Sequence, residues 1–389
     1  MTAMLASVTG PEEAEIAIAG GADIIDMKDP AGGALASLPL ARVEETVAAV
    51  DLRRPTSAVT GDPAMEPDAV AAAVQKIAAT GVDYVKVGLF PPEQKQLATI
   101  GALTEAAAAT RLVACLFADR ERDLTRLIAP LAEAGFAGLM LDTAEKNAGR
   151  LLAHAAIPAL SAFVSAARER GLLVGLAGGL EEPDVPRLLS LKPDFLGFRG
   201  ALCSAGGREA GIDLDAVTTI RKLIPRERAD AAGNVDYRLL SARGYHPDAA
   251  DPLQMARIFV RDLVLPVRIG AYSHERDAPQ KVRFDVSVDV RRSLGETHGM
   301  GQVYSYDLIT DAIARIVAEE HIDFVETLAE RIGREVLRDP RAGRVTVKVE
   351  KLEIGPGGVG VELTMERPDR AAEVNPVLAM LDHGSRETS

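Results

Sequence analysis

Two lysines carry the strongest chemical signal in this chain. Lys28 closes the apolar run Ala22–Lys28 and Lys86 lies in the run Tyr84–Leu89, each where a strand should end and on the side that a packed sheet would bury. Side chains alternate along an extended segment, so Ile24, Asp26 and Lys28 share one face, opposite Ile25 and Met27. Likewise Tyr84, Lys86 and Gly88 oppose Val85, Val87 and Leu89. Burial and a second nearby ammonium both push an amine towards its neutral form, and a neutral amine attacks a carbonyl to form a Schiff base. Asp142, ending Leu141-Asp142-Thr143, and Lys146 on the adjoining loop add groups able to move protons in enolisation or dehydration. Gly178 and Gly179, then Arg199 and Gly200, offer backbone N–H groups and a bidentate cation to a phosphate. Each has a plainer reading alone: a solvated strand-end lysine, a helix-capping aspartate, glycines ending strands, a surface arginine. Together they predict a site for a small phosphorylated carbonyl compound.

The elements that must position these residues come in a regular beat. Short apolar runs at Met4–Val8, Ala22–Lys28, Thr56–Gly61, Tyr84–Leu89, Arg111–Phe117, Gly138–Thr143, Leu172–Gly178 and Phe195–Gly200 alternate with helix-length, Ala-rich stretches. Eight such units predict a closed (β/α)8 barrel, with chemistry at the carboxyl ends of the strands. A doubly wound open sheet is the alternative, but no GxGxxG follows the first run.

The barrel accounts for residues 1–225, and 226–256, proline-bearing and poorly periodic, reads as a linker in which Tyr237–Leu240 could form a short strand. Beyond it the pattern changes. Val282, Phe284, Val286, Val288 and Val290 alternate with polar residues, two amphipathic helices follow near Tyr306–His321 and Phe324–Asp339, and strands follow at Arg344–Ile354 and Val359–Arg367. Residues 257–368 therefore predict an α+β unit of order ββααββ, and 369–389 a polar, loosely ordered tail.

Composition excludes several classes. With 389 residues, 47% of them hydrophobic, the chain can build two cores, and a net charge of −13 argues against nucleic acid or an anionic membrane as partner. Cys115 and Cys203, the two cysteines, suit buried small residues and give neither a disulfide framework nor a zinc-ligand spacing. No signal-like amino terminus and no run of roughly 18 apolar residues is present, which predicts a cytoplasmic protein.

The segments Gly21-Ala22-Asp23-Ile24-Ile25-Asp26-Met27-Lys28, Asp83-Tyr84-Val85-Lys86-Val87-Gly88-Leu89, Met140-Leu141-Asp142-Thr143-Ala144-Glu145-Lys146 and Arg199-Gly200-Ala201-Leu202-Cys203 resemble (5-formylfuran-3-yl)methyl phosphate synthase of methanofuran biosynthesis. The resemblance covers about residues 1–225. It implies a (β/α)8 barrel condensing two glyceraldehyde 3-phosphate molecules with loss of phosphate and water. Lys28 would be the Schiff-base lysine and Lys86 the proton acceptor, assisted by Asp142 and Lys146, with Asp26, Gly178, Gly179, Arg199 and Gly200 binding substrate.

In the second unit, Val345, Val347, Val349 and Lys351 share a strand face, Glu326 opens a helix, and Glu275 and Tyr306 sit at a turn and a helix start. Helix-dipole placement explains Glu326 and snorkelling explains Lys351, while a carboxylate can also grip an aminopyrimidine edge and a lysine–tyrosine pair can move protons without a metal. The stretches Ile269–Arg276, Tyr304–Asp307, Phe324–Glu330 and Val345–Lys351 resemble dihydroneopterin aldolase, a tunnelling-fold enzyme acting on dihydroneopterin. The resemblance spans about residues 257–367. It implies Glu326 as pterin anchor, Lys351 as general acid/base, Tyr306 as proton relay and Glu275 as orienting group. It also implies a homo-oligomer, and neither resemblance calls for a cofactor or metal. The expectation is a bifunctional lyase. The alternatives are a synthase whose second unit only binds pterin or assembles rings, and a class I aldolase for another phosphorylated sugar.

Overall fold

Eight short parallel strands close on themselves in sequence order: β1 (Ala3–Val8), β2 (Ile24–Met27), β3 (Thr56–Val59), β4 (Tyr84–Gly88), β5 (Leu112–Phe117), β6 (Gly138–Asp142), β7 (Leu173–Leu176) and β8 (Phe195–Phe198), with β8 pairing back onto β1. The computed structural model describes residues 1–33, 35–61, 65–145, 148–204, 207, 210–225, 254–272, 275–276, 278–292, 303–354 and 357–367. The chain divides into two units, Met1–His246 and Pro247–Ser389. Helices between the strands include α1 (Pro11–Ala19), α2 (Leu40–Val50), α3 (Pro67–Ala78), α4 (Glu93–Ala102), α5 (Thr104–Ala109), α6 (Ile128–Glu133), α7 (Leu151–His154), α8 (Ile157–Glu169) and α9 (Asp184–Leu189), and α10 (Leu214–Leu223) follows β8. Helix α1 starts with Pro11, whose fixed φ suits the first turn, followed by Glu12 and Glu13 at the positive end of its dipole. Asp213 caps α10 by accepting from the Ala216 amide at 3.0 Å.

Two cores follow from the alternation along the strands. Outward residues such as Ile25, Met27, Val85, Val87, Leu139 and Leu141 pack against the helices. Inward residues Leu5, Val59, Val113, Cys115, Phe117, Met140, Ala177 and Phe195 fill the barrel. Glycines make room for the largest of them: a Cβ on Gly175 would stand 2.1 Å from the Phe195 ring, and one on Gly197 would stand 2.7 Å from the Met140 methyl. This packed floor leaves the open end of the barrel as the place for polar groups.

The second unit is an antiparallel sheet in the order β12-β11-β10-β9, formed by β9 (Gln254–Val267), β10 (Gln280–Arg292), β11 (Ala342–Lys351) and β12 (Val359–Glu366). Two helices, α11 (Asp307–Glu319) and α12 (Val325–Val336), cover one face. Val282, Phe284, Val286 and Val288 of β10 meet Val345, Val347 and Val349 of β11 beneath Ile309, Ile313, Leu328 and Ile332. The observed order is therefore ββααββ. The expected linker is shorter than 226–256 at its carboxyl end, because Gln254, Met255 and Ala256 already pair with β10. The expected strand at Tyr237–Leu240 and the expected tail 369–389 lie outside the described residues. Among the described residues, no helix is long and apolar enough to cross a membrane.

Candidate active site

Inside the mouth of the barrel, four charged side chains meet. Asp26 on β2 is fully buried and Lys86 on β4 is 2% exposed, and their Oδ2 and Nζ lie 3.0 Å apart. Lys28, one residue beyond β2, and Asp142, the last residue of β6, are also buried, with Nζ to Oδ2 at 3.9 Å. Asp142 is oriented by its own turn, since its Oδ1 accepts from the Thr143 amide at 2.7 Å. Two lysines and two aspartates thus converge inside the barrel.

Asp26 is the hub of this arrangement. Its Oδ1 accepts from the Ser57 hydroxyl at 2.6 Å, and its Oδ2 accepts from the Ser7 hydroxyl at 3.1 Å as well as from Lys86. Strand register explains the contacts, because Ser7, Asp26 and Ser57 are successive partners across β1, β2 and β3. Burial opposes the charge on Asp26, but Lys86, Lys28 and the Ser57 hydroxyl outweigh it and hold the carboxyl below its usual range. Burial likewise opposes the charge on Lys86, and Asp26 outweighs it, so this amine is held above the ordinary lysine value. The expectation of a neutral Lys86 is corrected accordingly: the carboxylate at 3.0 Å wins over desolvation. Nor does Lys86 end its strand; it is the middle residue of β4. Asp26, expected to bind substrate, is paired with Lys86. The thiol of Cys115, on the adjacent strand, is pushed up to about 11 by burial and therefore stays protonated.

The loops after β7 and β8 carry the expected phosphate-binding glycines. Gly178 and Gly179 have φ of +110° and +62°, and a Cβ at Gly178 would stand 3.0 Å from Thr143, so both the backbone conformation and the space favour glycine. Gly200 opens a single 3-10 turn, Gly200–Leu202. Arg199 departs from expectation. Its guanidinium donates to both carboxylate oxygens of Glu13, at 2.6 and 3.2 Å, to the Ser7 carbonyl at 3.1 Å and to the Ala210 carbonyl at 2.8 Å. It is a buried strut tying the end of β8 to α1 and β1. Lys146 lies outside the described residues.

In the second unit, Lys351 ends β11 and donates to Glu275 Oε1 at 2.8 Å. Gln280 Nε2 donates to the same oxygen at 3.0 Å and the Tyr272 amide donates to Oε2 at 3.1 Å. The hydrogen bond from Lys351, assisted by Gln280 and Tyr272, holds the Glu275 carboxyl down to about 2. Gly270, at φ +136°, lets the carboxylate lie against its Cα, where a Cβ would approach to 2.1 Å, and His321 Nε2 sits 2.8 Å from the Gly270 carbonyl oxygen. Tyr306, just before α11, is 62% exposed, and Glu326 in the first turn of α12 is exposed too. Among the described residues, no hydrogen bond or ion pair joins either of them to the Glu275–Lys351 pair.

Sequence reasoning missed Ser7, Ser57, Glu13, Gln280 and Gly270. Ser7 and Ser57 were findable, because each is a polar residue at an inward position of a barrel strand. Gln280 and Glu13 gave no such signal, since both look like ordinary solvent-facing residues until the chain closes around them.

Comparison with known proteins follows the same division. The family model for 4-HFC-P synthase matches residues 4–221, and that for dihydroneopterin aldolase matches residues 258–364. A protein of Methylorubrum extorquens is 44% identical over 233 residues, 59% of this chain and 94% of that protein. The (5-formylfuran-3-yl)methyl phosphate synthase of Methanopyrus kandleri is 38% identical over 239 residues, 59% of this chain and 98% of that protein. A crystal structure of dihydroneopterin aldolase from Burkholderia thailendensis bound to guanine is 28% identical, covering 32% of this chain and 98% of that chain at a TM-score of 0.27.

Proposed function

Since the chain belongs to the 4-HFC-P synthase family through its first unit and carries a dihydroneopterin aldolase domain in its second, we propose that it is a bifunctional biosynthetic lyase of the cytoplasm. The barrel condenses two glyceraldehyde 3-phosphate molecules, with loss of phosphate and water, to (5-formylfuran-3-yl)methyl phosphate. The observation that carries this reading is the pairing of two buried lysines with two buried carboxylates in the barrel mouth, Lys86 with Asp26 at 3.0 Å and Lys28 with Asp142 at 3.9 Å. With Lys86 held charged by Asp26, Lys28 is assigned as the amine that forms the imine with the substrate carbonyl.

Lys86 enters the cycle charged, so it gives before it takes. Its proton goes to the carbonyl oxygen that leaves as water when the imine forms. The neutral amine left behind then accepts a proton from the carbon next to the imine, generating the enamine that attacks the second aldehyde. Asp142 and Lys146 assist the later dehydrations, and the backbone of Gly178, Gly179 and Gly200 binds phosphate. Borohydride added during turnover should fix substrate carbon on Lys28, and mass detection of the furan should show the product. Near-normal activity in Lys28→Ala would defeat the assignment, and incubation with other phosphorylated sugars tests the wider aldolase alternative.

For the second unit, the reading is retro-aldol cleavage of dihydroneopterin to 6-hydroxymethyl-dihydropterin and glycolaldehyde. Lys351 moves the proton, Glu275 orients it, Glu326 anchors the pterin and Tyr306 relays. The exposed Tyr306 and Glu326 favour a site completed in a homo-oligomer, and equally support a second reading in which the unit only binds pterin or assembles the protein. Glycolaldehyde release from dihydroneopterin separates the two. We assign residues 1–225 and 257–368 to separately folding domains, which expression of each fragment tests.

A further inference from the structure

We propose that Ser7 and Ser57 are positioning residues of the barrel site, whose hydroxyls hold Asp26 as a fixed carboxylate that binds Lys86 and takes no proton during turnover. The inference deepens the furan synthase reading and rests on it for its place in catalysis. Asp26 has no exposed surface, so water cannot solvate its charge, and a carboxylate in that position needs protein donors for its lone pairs. Lys86 supplies one donor; Ser7 and Ser57, buried on the two strands flanking β2, supply the others. Each hydroxyl has a single proton, and in this geometry both protons point at Asp26.

The consequence is chemical. A carboxylate with three donors is a poor base, because protonating it discards hydrogen bonds that only the ionised form accepts. Asp26 is thereby removed from the competition for substrate protons, and Lys86 is left as the group that exchanges them. Without the serines, Asp26 becomes more basic and can take the proton of Lys86, which discharges the very amine that must protonate the departing oxygen. The titratable groups facing Asp26 are Lys28 on its own chain segment and Lys86 on β4, with Cys115 on β5 and Asp142 on β6 completing the charged surroundings.

The test uses the full chain with 13Cγ-labelled aspartate, following the Asp26 carboxyl by NMR as a function of pH, its signal assigned with Asp26→Asn. In the unaltered protein Asp26 should titrate below the ordinary carboxylate range, as its partners dictate. In the double variant Ser7→Ala, Ser57→Ala the midpoint should rise by about one pH unit or more, and Ser57→Thr, which keeps the hydroxyl, should hold it near its original place. The acid limb of the pH–rate profile for furan formation should move upward by the same amount. A merely structural role would lower the rate at every pH and leave both midpoints where they were. An unmoved Asp26 midpoint in the folded double variant overturns the proposal. If the midpoint moves but the unaltered chain makes no furan from glyceraldehyde 3-phosphate, the positioning role stands and the furan synthase reading falls. Should the double variant fail to fold, Ser57→Ala alone carries the same comparison, since Ser57 makes the shorter contact at 2.6 Å.

Discussion

Asp26→Asn should destabilise the barrel more at pH 6 than at pH 9, and the pH dependence identifies the cause. The substitution keeps size and removes the charge 3.0 Å from Lys86, a residue that is 2% exposed. An ammonium left buried beside a neutral amide costs about 3–5 kcal/mol, the usual consequence of deleting one partner of a buried pair. In the unaltered protein the pair's contribution is flat across the physiological range. Asp26 is held below its unfolded value, so its share is present above about pH 4 and lost only as pH falls through the folded value. Lys86 is held above its unfolded value, so its share is present below about pH 10.4 and lost only as pH rises through the folded value. In the variant the sign for Lys86 reverses, because burial without Asp26 favours the neutral amine and drops its folded value by up to about 3–5 units. The penalty is then complete while Lys86 remains charged and shrinks by up to about 1.4 kcal/mol per pH unit once Lys86 has discharged. Urea unfolding of both proteins at pH 6 and pH 9, followed by circular dichroism, measures this directly. Equal losses at the two pH values would refute the argument, since they would show that the cost does not depend on the charge of Lys86.

Further substitutions separate structural ties from contacts with substrate. Arg199→Ala should cost about 2–4 kcal/mol in unfolding experiments by stranding the half-buried Glu13, with little change in KM; a large rise in KM at unchanged stability would return Arg199 to phosphate binding. Gly178→Ala forces a Cβ onto a backbone at φ +110° and to within 3.0 Å of Thr143. It should lose about 1–2 kcal/mol of stability and raise KM for the phosphorylated substrate, and an unaltered KM would remove this loop from the phosphate site. Gly270→Ala would put a methyl 2.1 Å from the Glu275 carboxylate and drive it off Lys351. Glycolaldehyde release should fall by about tenfold or more while furan synthesis continues, and equal loss of both activities would show that the effect is not local.

The architecture was legible because it depends on periodicity. Eight apolar runs with intervening helices, followed by an alternating strand such as Val282–Val290, each specify their element locally and agree with the whole. The site was legible in its residues and less so in their states. Alternation placed Lys28, Lys86 and Asp26 inside the barrel, but whether burial or a counter-ion sets the charge of Lys86 depends on a distance to another strand 60 residues away. Arg199 shows the same limit. A strand-end arginine offers itself to a phosphate until Glu13, 186 residues earlier in the chain, is found occupying its fork.

Strand parity connects these observations. A closed eight-stranded barrel fills its interior in layers drawn from alternate strands, so residues on even strands meet one another across the axis while odd strands stand between them. Asp26 lies in β2 and Lys28 follows it, Lys86 lies in β4, Asp142 ends β6 and Arg199 follows β8, which puts every charged group of the predicted barrel site that the structure describes in or just beyond an even strand. The hydroxyls of Ser7 and Ser57 come from β1 and β3, on either side of β2. Charges that must approach one another are thus set across the interior, and the neutral donors that fix Asp26 sit beside it in register. Moving Ser57 by one residue along β3 would turn its hydroxyl outward to the helices and leave Asp26 short of a donor. Polar residues on the strands flanking an inward carboxylate are therefore where the control of its charge should be sought.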